Sequence, residues 1–151
     1  MGERMSTNRF EIFSTAVLRL VKAVQGIKTQ KMAEYDLKGT GAVCLCRIYE
    51  STGGLTAAEL ARVCEVDKAQ ISRTMAELTA RALVVREGEG SYKLKYQLTP
   101  AGAEIAADVV KTMYAIEETV AKGLTESELD GFYGTLYRLC DNFDALLKKD
   151  M

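Results

Sequence analysis

The sequence contains no histidine among its 151 residues. That absence excludes a Ser-His-Asp or Cys-His catalytic arrangement, a zinc or haem site with histidine ligands, and a histidine pH switch. The chain also has no glycine-rich phosphate loop and no clustered pair of carboxylates. Because no catalytic constellation is present, we expect a protein that is not an enzyme and that uses no cofactor and no metal ion.

An excess of positive charge is also missing, with 20 Lys and Arg against 21 Asp and Glu and a formal net charge of -1. Nucleic-acid-binding domains usually carry a basic excess, so the total alone argues against one. The charge is distributed unevenly, however. Residues 1–38 contain seven basic and four acidic residues, and residues 56–100 contain seven basic and six acidic residues. Residues 101–151 contain five basic and ten acidic residues. The net +1 of residues 56–100 therefore predicts modest non-specific affinity for nucleic acid.

An export signal and a long apolar run are missing too. Residues 1–10 are polar and mixed in charge, and charged residues interrupt the apolar stretches elsewhere. We therefore expect a cytoplasmic protein of one domain with no membrane partner, in which reducing conditions keep cysteines as thiols. We expect all the cysteines to be small buried core residues, with oxidant or soft-metal sensing by one of them as the alternative: Cys44, Cys46, Cys64 and Cys140.

Proline is rare as well, and Pro100 is the only one, so most of the chain can be helical. Apolar residues spaced by three and four predict a first helix over residues 10–32. Residues 35–41 contain two glycines and are predicted as a break. A second helix is predicted over residues 43–51.

Two helix-start motifs follow each other closely after the second helix. Thr56 with Glu59 forms a capping box, and Asp67 with Gln70 has the same spacing and is expected to cap in the same manner. Two short helices joined by a turn of three or four residues form a helix-turn-helix. The second helix of this pair is predicted to expose its N-terminal part and to bury one face: Ile71, Met75, Leu78 and Ala82.

The spacing of apolar residues changes from a helical to a strand-like period after this pair of helices. Residues 83–86 and 92–98 are predicted as the two strands of a β-hairpin. A helix then starts at Thr99-Pro100, and a third capping box starts the last helix at Thr125. The predicted fold class is mainly α with a small β-hairpin wing, that is, a winged helix-turn-helix.

A winged helix binds double-stranded DNA by placing the second helix of its helix-turn-helix in the major groove. Its wing contacts phosphates or the minor groove. Gln70 and Arg73 are candidates for adenine and guanine edges, and Ala69 for a thymine methyl group. For each residue the alternative is a solvated helix face, and Arg73 has an ion pair with Glu77 as a second alternative. Phosphate contacts that fix the register are predicted for Lys68, Ser72 and Arg86. Surface charges without a specific role are expected at Arg62 and Arg81.

Residues 55–102 carry the run LTAAELARVCEVDKAQISRTMAELTARALVVR, then the wing, then LTPAG. This run resembles the MarR family of bacterial transcriptional regulators, and the flanking helices match that family in number and order. The resemblance therefore covers nearly the whole chain. The matching positions are Leu55-Thr56, Glu59-Leu60-Ala61, Asp67-Lys68, Ser72-Arg73, Leu78, Leu83, Arg86, Leu98-Thr99 and Gly102.

The resemblance implies a single domain of six helices that forms a homodimer. Residues 1–38 and 124–151 would form the helical dimerisation region, 39–100 the winged helix-turn-helix and 100–123 a connecting helix. The long apolar stripes of the first and last helices support a dimer independently. The family mostly represses from a pseudo-palindromic operator, and many members release DNA when a small aromatic or phenolic effector or an oxidant acts on them. By that resemblance an effector site would lie near Met32, Tyr35, Tyr49 or Tyr114, with a plain core position as the alternative for each residue.

The wing and the cysteines depart from the family pattern. Family wings commonly carry an Asp-x-Arg pair shortly before the Leu-Thr, where this chain has Gly90 and Tyr92. Minor-groove insertion by arginine is therefore not supported, and Lys93 and Lys95 are the candidates for phosphate contacts instead. The redox-sensing branch of the family has its cysteine in the first helix, which has none here.

The rival function is a winged-helix module for protein interaction or dimerisation, without DNA binding. Such modules are fused to small-molecule methyltransferases, and this chain has no catalytic domain after the winged helix. The rival predicts no salt-dependent binding of DNA, whereas a regulator would bind specifically at moderate salt and lose affinity steeply as salt rises.

Overall fold

The computed structural model describes residues 8–88, 90 and 94–149 of the chain. These residues form two compact units, which divide between Lys111 and Thr112, inside the fifth helix. Within the described part, no helix combines the length and apolarity that crossing a bilayer requires. The predicted fold class is confirmed, because the described elements are α1 (Arg9–Met32), α2 (Gly39–Glu50), α3 (Ala57–Cys64), α4 (Lys68–Ala80), β1 (Val84–Glu87), β2 (Lys95–Leu98), α5 (Pro100–Val120) and α6 (Glu126–Lys149).

The first helix matches its predicted range to within one residue. Asn8 caps it, because its side-chain oxygen accepts a hydrogen bond from the Phe10 N–H at 3.1 Å. A short 3-10 turn over Ala33–Tyr35 follows, and Asp36 then adopts the left-handed conformation at φ 52°. The 3-10 turn and Asp36 together connect α1 to α2.

The second helix begins at Gly39, so the predicted break over 35–41 is wrong in its second half. Glycine is unfavourable in a helix by about 1 kcal/mol, but packing overrides that preference here. Gly41 is buried, and a Cβ at this position would lie 3.7 Å from both Leu37 Cδ2 and Leu78 Cδ2. Gly41 therefore lies in the packed region between α2 and α4, where a methyl group would make ordinary van der Waals contacts.

The core of the first unit contains the predicted buried face of α4, apart from one residue. Ile71, Met75 and Leu78 are buried, but Ala82 is exposed. The prediction for Ala82 is wrong because α4 ends at Ala80 and Ala82 is left-handed at φ 56°. The Leu83 N–H donates to the Leu78 carbonyl at 3.0 Å and closes the helix end. The full set of buried apolar side chains is Met32, Leu37, Ala42, Cys44, Leu45, Ile48, Leu60, Ile71, Met75, Leu78, Leu83, Val84, Ala106 and Val109.

The predicted hairpin is present, with β1 antiparallel to β2 and Arg86 opposite Tyr96. The strand β1 is shifted by one residue from the predicted 83–86, and β2 begins at Lys95 instead of residue 92. Residues 92 and 93 of the predicted second strand lie outside the described residues. Leu55 adds a bridge that the sequence did not predict. Its N–H donates to the Tyr96 carbonyl at 3.2 Å, and the Tyr96 N–H donates to the Leu55 carbonyl at 2.7 Å.

Thr99 and Gly102 join the hairpin to α5. The Thr99 hydroxyl accepts from the Gly102 N–H at 3.1 Å, as predicted for a helix cap, and donates to the Ala82 carbonyl at 2.7 Å. The Thr99 N–H also donates to the Leu83 carbonyl at 3.1 Å. Any Cβ on Gly102 would overlap the Leu83 carbonyl, so glycine is needed for this close approach.

The second unit contains the last helix, which starts with the predicted capping box. The Glu128 N–H donates to the Thr125 hydroxyl at 3.1 Å, and the Thr125 N–H donates to the Glu128 carboxylate at 2.8 Å. No described residue of α6 is buried. Cys140 is therefore exposed, which contradicts the expectation of a core position, because its own chain leaves the apolar stripe of α6 uncovered.

Candidate nucleic-acid interface

Two caps fix the geometry of the helix-turn-helix. The Glu59 N–H donates to the Thr56 hydroxyl at 3.1 Å, and the Thr56 N–H donates to the Glu59 carboxylate at 2.8 Å, so the predicted capping box is present. This bond from the Thr56 backbone lowers the pKa of Glu59 from its usual range. Glu65 ends α3 in the left-handed conformation at φ 53°. The Gln70 N–H then donates to the Asp67 side chain at 2.7 Å, and α4 begins.

The N-terminal part of α4 is exposed as predicted, with Gln70 half-buried. Only half of the second capping motif forms, because the Gln70 side chain does not return to the backbone of Asp67. Its oxygen instead accepts from the Arg73 guanidinium at 3.0 Å, and its amide nitrogen donates to the Thr74 hydroxyl at 3.4 Å. Within the described chain, no ion pair joins Arg73 to Glu77. The two candidates for base contact are thus hydrogen-bonded to each other.

The three residues predicted to contact phosphates line one cleft. Lys68 and Ser72 come from α4 and Arg86 from β1, and the cleft has a volume of about 280 Å³. The Arg86 guanidinium lies 5.3 Å from the centre of the Tyr96 ring, a distance typical of a cation–π contact. The other lining residues are Thr56, Ala57 and Ala58 at the N-terminus of α3, and Leu94. The sequence pattern did not predict that the start of α3 would be part of this cleft.

Of the two wing lysines predicted to contact phosphates, Lys93 and Lys95, the structure describes only Lys95. Lys95 lies in β2 opposite Glu87, and its charge contributes to lowering the pKa of Glu59. It is therefore close to acidic side chains as well as to the helix-turn-helix. Lys93 and Tyr92 lie outside the described residues. Gly90, where the family pattern has an acidic residue, has a positive φ of 75°.

The four residues suggested for an effector site differ in exposure. Met32 is fully buried, whereas Tyr49 is 45 % exposed and Tyr114, in the second unit, is 62 % exposed. Tyr35 lines a cavity of about 500 Å³, and its hydroxyl is hydrogen-bonded to the Asp108 carboxylate. The other lining residues of this cavity are Glu104, Ile105, Ala107 and Lys111.

A larger cavity that the sequence did not predict lies beside α4. Its volume is about 950 Å³, and its walls include Gln70 and Arg73 together with residues from the end of α1 to the start of α2. Arg81, expected to be a plain surface charge, borders it. Its guanidinium donates to the Asp36 carbonyl at 2.7 Å and to the Tyr35 carbonyl at 2.9 Å. Arg81 thus connects the end of α4 to the turn after α1, a role that no local sequence signal indicates.

Comparisons with known proteins agree with this architecture. Residues 35–91 match the model of the MarR family. No protein with a curated function matches the sequence. Among solved structures, the complex of S. aureus MepR with DNA is 18% identical, covers 91% of this chain and 99% of its own, and has a TM-score of 0.80.

Two further solved structures show the same similarity over most of the chain. A MarR family regulator from Neisseria meningitidis is 16% identical, covers 96% of this chain and 100% of its own, and has a TM-score of 0.81. A MarR family regulator from Silicibacter pomeroyi is 24% identical, covers 84% of this chain and 86% of its own, and has a TM-score of 0.70. The resemblance predicted from the sequence is confirmed: residues 35–91 match the model of the MarR family, and the fold is that of solved MarR-family regulators.

Proposed function

We propose that this chain is a non-enzymatic, sequence-specific DNA-binding transcriptional regulator. The observation that carries the proposal is the cleft in which Lys68, Ser72 and Arg86 meet. These three side chains come from two separate elements, and they converge directly beside the exposed start of α4. The similarity to MepR, which was solved in complex with DNA, supports the same function.

The cleft suits one phosphate of a DNA backbone. Lys68 and Arg86 supply positive charge, and the Ser72 hydroxyl supplies a neutral donor. The start of α3 adds the partial positive charge of a helix N-terminus, close to Ala57 and Ala58. A phosphate held there would fix the register of α4 in the major groove without reading sequence.

Base readout falls mainly to Arg73 in this arrangement. Its hydrogen bond to Gln70 occupies one guanidinium donor, which leaves the others for the O6 and N7 atoms of guanine. Gln70 would have to give up its bonds to Arg73 and Thr74 before it could pair bidentately with adenine. Ala69 is exposed and could contact a thymine methyl group.

The regulator would act as a homodimer on a pseudo-palindromic operator. Large apolar side chains are exposed along α1, including Phe10, Leu18 and Leu20. The second unit exposes another set, including Phe132 and Leu146 of α6. Surfaces of this kind are covered by a partner in stable proteins, and a second copy would supply two recognition helices related by two-fold symmetry.

Control by a small aromatic or phenolic effector, with release of DNA and loss of repression, belongs to the same proposal. It is supported by the family resemblance and by the cavity of about 500 Å³ at Tyr35. The cavity carries a phenol, two carboxylates and the Lys111 ammonium, so a ligand with a polar group on an aromatic ring would find partners there.

The proposal is tested by incubating the full chain with sheared genomic DNA at a low and a moderate salt concentration and sequencing the protected fragments. We expect a recurring pseudo-palindromic site that survives at moderate salt, and affinity that falls as salt rises. We expect Arg73→Ala to lose that preference and Lys122→Ala, at an exposed position of the second unit, to retain it. Binding of no fragment, or binding without sequence preference that Arg73→Ala leaves unchanged, would favour the protein-interaction module instead.

A further inference from the structure

One arginine joins the end of α4 to the end of α1. Arg81 directly follows the last residue of α4, and its guanidinium donates to the Asp36 carbonyl at 2.7 Å and to the Tyr35 carbonyl at 2.9 Å. We propose that Arg81 is a positioning residue that fixes the direction of α4 relative to α1, and that it thereby sets the spacing of the two operator half-sites that a dimer can bind. The effect on spacing rests on the proposed function.

The two carbonyls that Arg81 binds belong to a turn that is attached to α1. The Asp36 N–H donates to the Ala33 carbonyl at 3.1 Å, and the Leu37 N–H donates to the Met32 carbonyl at 3.0 Å. Met32 is the last residue of α1, and Ala33 is its C-cap. Backbone bonds of this kind close the end of a helix and hold the following residues against it. A group that binds the carbonyls of this turn therefore binds the end of α1 itself.

Two bonds from one guanidinium fix a direction, which apolar packing does not. The guanidinium is planar and its donors have a fixed geometry, so it binds two neighbouring carbonyl oxygens in one orientation. Leu37 and Leu78 are buried close together, since the Cδ2 atom of each lies 3.7 Å from the position that a Cβ on Gly41 would take. Such apolar burial keeps the elements together but is non-directional. Arg81 therefore adds the directional part of the contact between α4 and the turn after α1.

The space between α4 and the end of α1 is not filled by side chains. The cavity of about 950 Å³ has Thr29 of α1 in one wall and Arg73 of α4 in another. Arg81 and Asp36 both line this cavity, so their hydrogen bond spans one side of it. Atoms that face an open cavity have no packing partners there. The side of α4 that faces the cavity therefore depends on Arg81 for its alignment with α1.

The end of α4 has a separate attachment to the start of α5. The Thr99 hydroxyl donates to the Ala82 carbonyl at 2.7 Å, and the Thr99 N–H donates to the Leu83 carbonyl at 3.1 Å. These bonds hold the residues that follow α4 in place. A helix that is attached at one point can still tilt about that point, and a second attachment removes this freedom. The bonds from Arg81 to the turn after α1 supply that second attachment.

The direction of α4 relative to α1 decides which operators a dimer can bind. Exposed apolar side chains such as Leu18 and Leu20 make α1 part of the proposed dimer contact, so its two copies would be related by a two-fold axis. The distance between the two α4 helices then depends on the angle between α4 and α1. One additional base pair between half-sites moves a half-site by about 3.4 Å and turns it by about 35°. A fixed angle therefore suits one spacing, whereas a tilting α4 suits several.

The first experiment measures the affinity of the full chain for the selected pseudo-palindromic site and for copies whose spacer is one base pair shorter or longer. We expect wild type to bind the altered spacers about ten-fold more weakly, because one half-site is then out of register. Arg81→Ala should bind all three spacers with nearly equal affinity. Arg47→Ala is the matched control, since it removes only an exposed ion pair with Glu50 in the same unit, and it should keep the wild-type preference. An unchanged preference in Arg81→Ala would overturn the proposal.

A salt titration separates positioning from direct contact with DNA. Arg81→Ala should weaken binding to the selected site without changing the slope of log affinity against log salt, because the guanidinium binds carbonyl oxygens and neutralises no phosphate. A slope that falls by about 1 would make Arg81 a phosphate contact and would overturn the positioning role. Arg81→Lys keeps the charge but not the planar pair of donors, so it should also lose spacing preference. It replaces Arg81→Ala if circular dichroism shows that variant to be unfolded, and a full preference in Arg81→Lys would contradict the role of the paired bonds.

A measurement without DNA keeps the positioning role separate from the proposed function. Nitroxide labels are placed at Ala76→Cys, an exposed position of α4, in a folded chain whose native cysteines are replaced by alanine. Pulsed electron spin resonance then gives the distance between the two α4 helices of a dimer. We expect one narrow distance distribution, which Arg81→Ala broadens and Arg47→Ala does not. Equal widths, or a chain that forms no dimer, would overturn the proposal. Wild-type protein that binds no DNA would contradict the proposed function, whereas broadening in Arg81→Ala would still support the positioning of α4.

Discussion

Individual residues at the LTPAG segment connect three parts of the first unit. Thr99 bonds to the backbone of both Ala82 and Leu83, and Gly102 passes so close to Leu83 that no side chain fits. The family resemblance draws attention to these positions, but spacing alone does not explain them. The contacts bring together residues sixteen to nineteen positions apart, and such pairs cannot be inferred from local pattern.

We expect Gly102→Ala to destabilise the fold by about 2–3 kcal/mol, because the new methyl group must displace the backbone at Leu83. Gly39→Ala is the matched control, since a Cβ at Gly39 meets no atom within 4 Å. Urea unfolding followed by circular dichroism gives both free energies. Equal stability of the two variants would contradict the close approach of α5 to Leu83.

Helices and strands were predictable where a cap or a clear period marked them. The capping boxes at Thr56 and Thr125 and the start of α5 at Pro100 all follow from short local motifs. The start of α2 was missed because Gly39 and Gly41 have low helix propensity and suggest a break, whereas the helix includes both. The cleft itself was missed, because side chains from α3, α4 and β1 meet only after folding.

The cap of α3 predicts a specific pH dependence of stability. The bond from Thr56 holds the pKa of Glu59 below its usual range, so the ionised carboxylate stabilises the folded state at neutral pH. That contribution is lost as the pH falls through the folded-state pKa. We expect Glu59→Gln to be less stable than wild type at neutral pH and to approach it in acid, as measured by thermal unfolding. The exposed Glu77→Gln should not show this convergence, and a Glu59→Gln deficit that stays constant with pH would contradict the account.

At the scale of the whole molecule, charge and apolar surface are distributed unequally along the chain. Residues 101–151 carry ten acidic and five basic side chains, whereas residues 1–38 carry four acidic and seven basic side chains. The neutral total therefore hides a basic first part and an acidic last part. Alongside this, α6 has no buried residue among those described, and Cys140 is exposed on it. The sequence predicted the apolar stripes of α1 and α6, and a second copy of the chain is the partner that we propose for them.

We expect the wild-type protein to have twice the mass of one chain in light scattering coupled to size-exclusion chromatography. Phe132→Glu, at a side chain that is 51 % exposed on α6, should shift the protein toward monomer, because it puts a charge into the proposed interface. Ser127→Glu adds the same charge at an exposed position of the same helix and should remain a dimer. A wild-type monomer, or a Phe132→Glu dimer as stable as that of Ser127→Glu, would refute this interface.

The measurement that tests the central claim most directly is the salt dependence of DNA affinity for wild type, Arg86→Ala and Lys122→Ala. If the cleft of Lys68, Ser72 and Arg86 holds a phosphate, Arg86→Ala should weaken binding to all sequences and reduce the slope of log affinity against log salt by about 1. Arg86→Lys should keep most of the slope, and Lys122→Ala should match wild type. Wild-type binding that is independent of salt, or an Arg86→Ala slope equal to that of wild type, would contradict a DNA-binding role for this cleft.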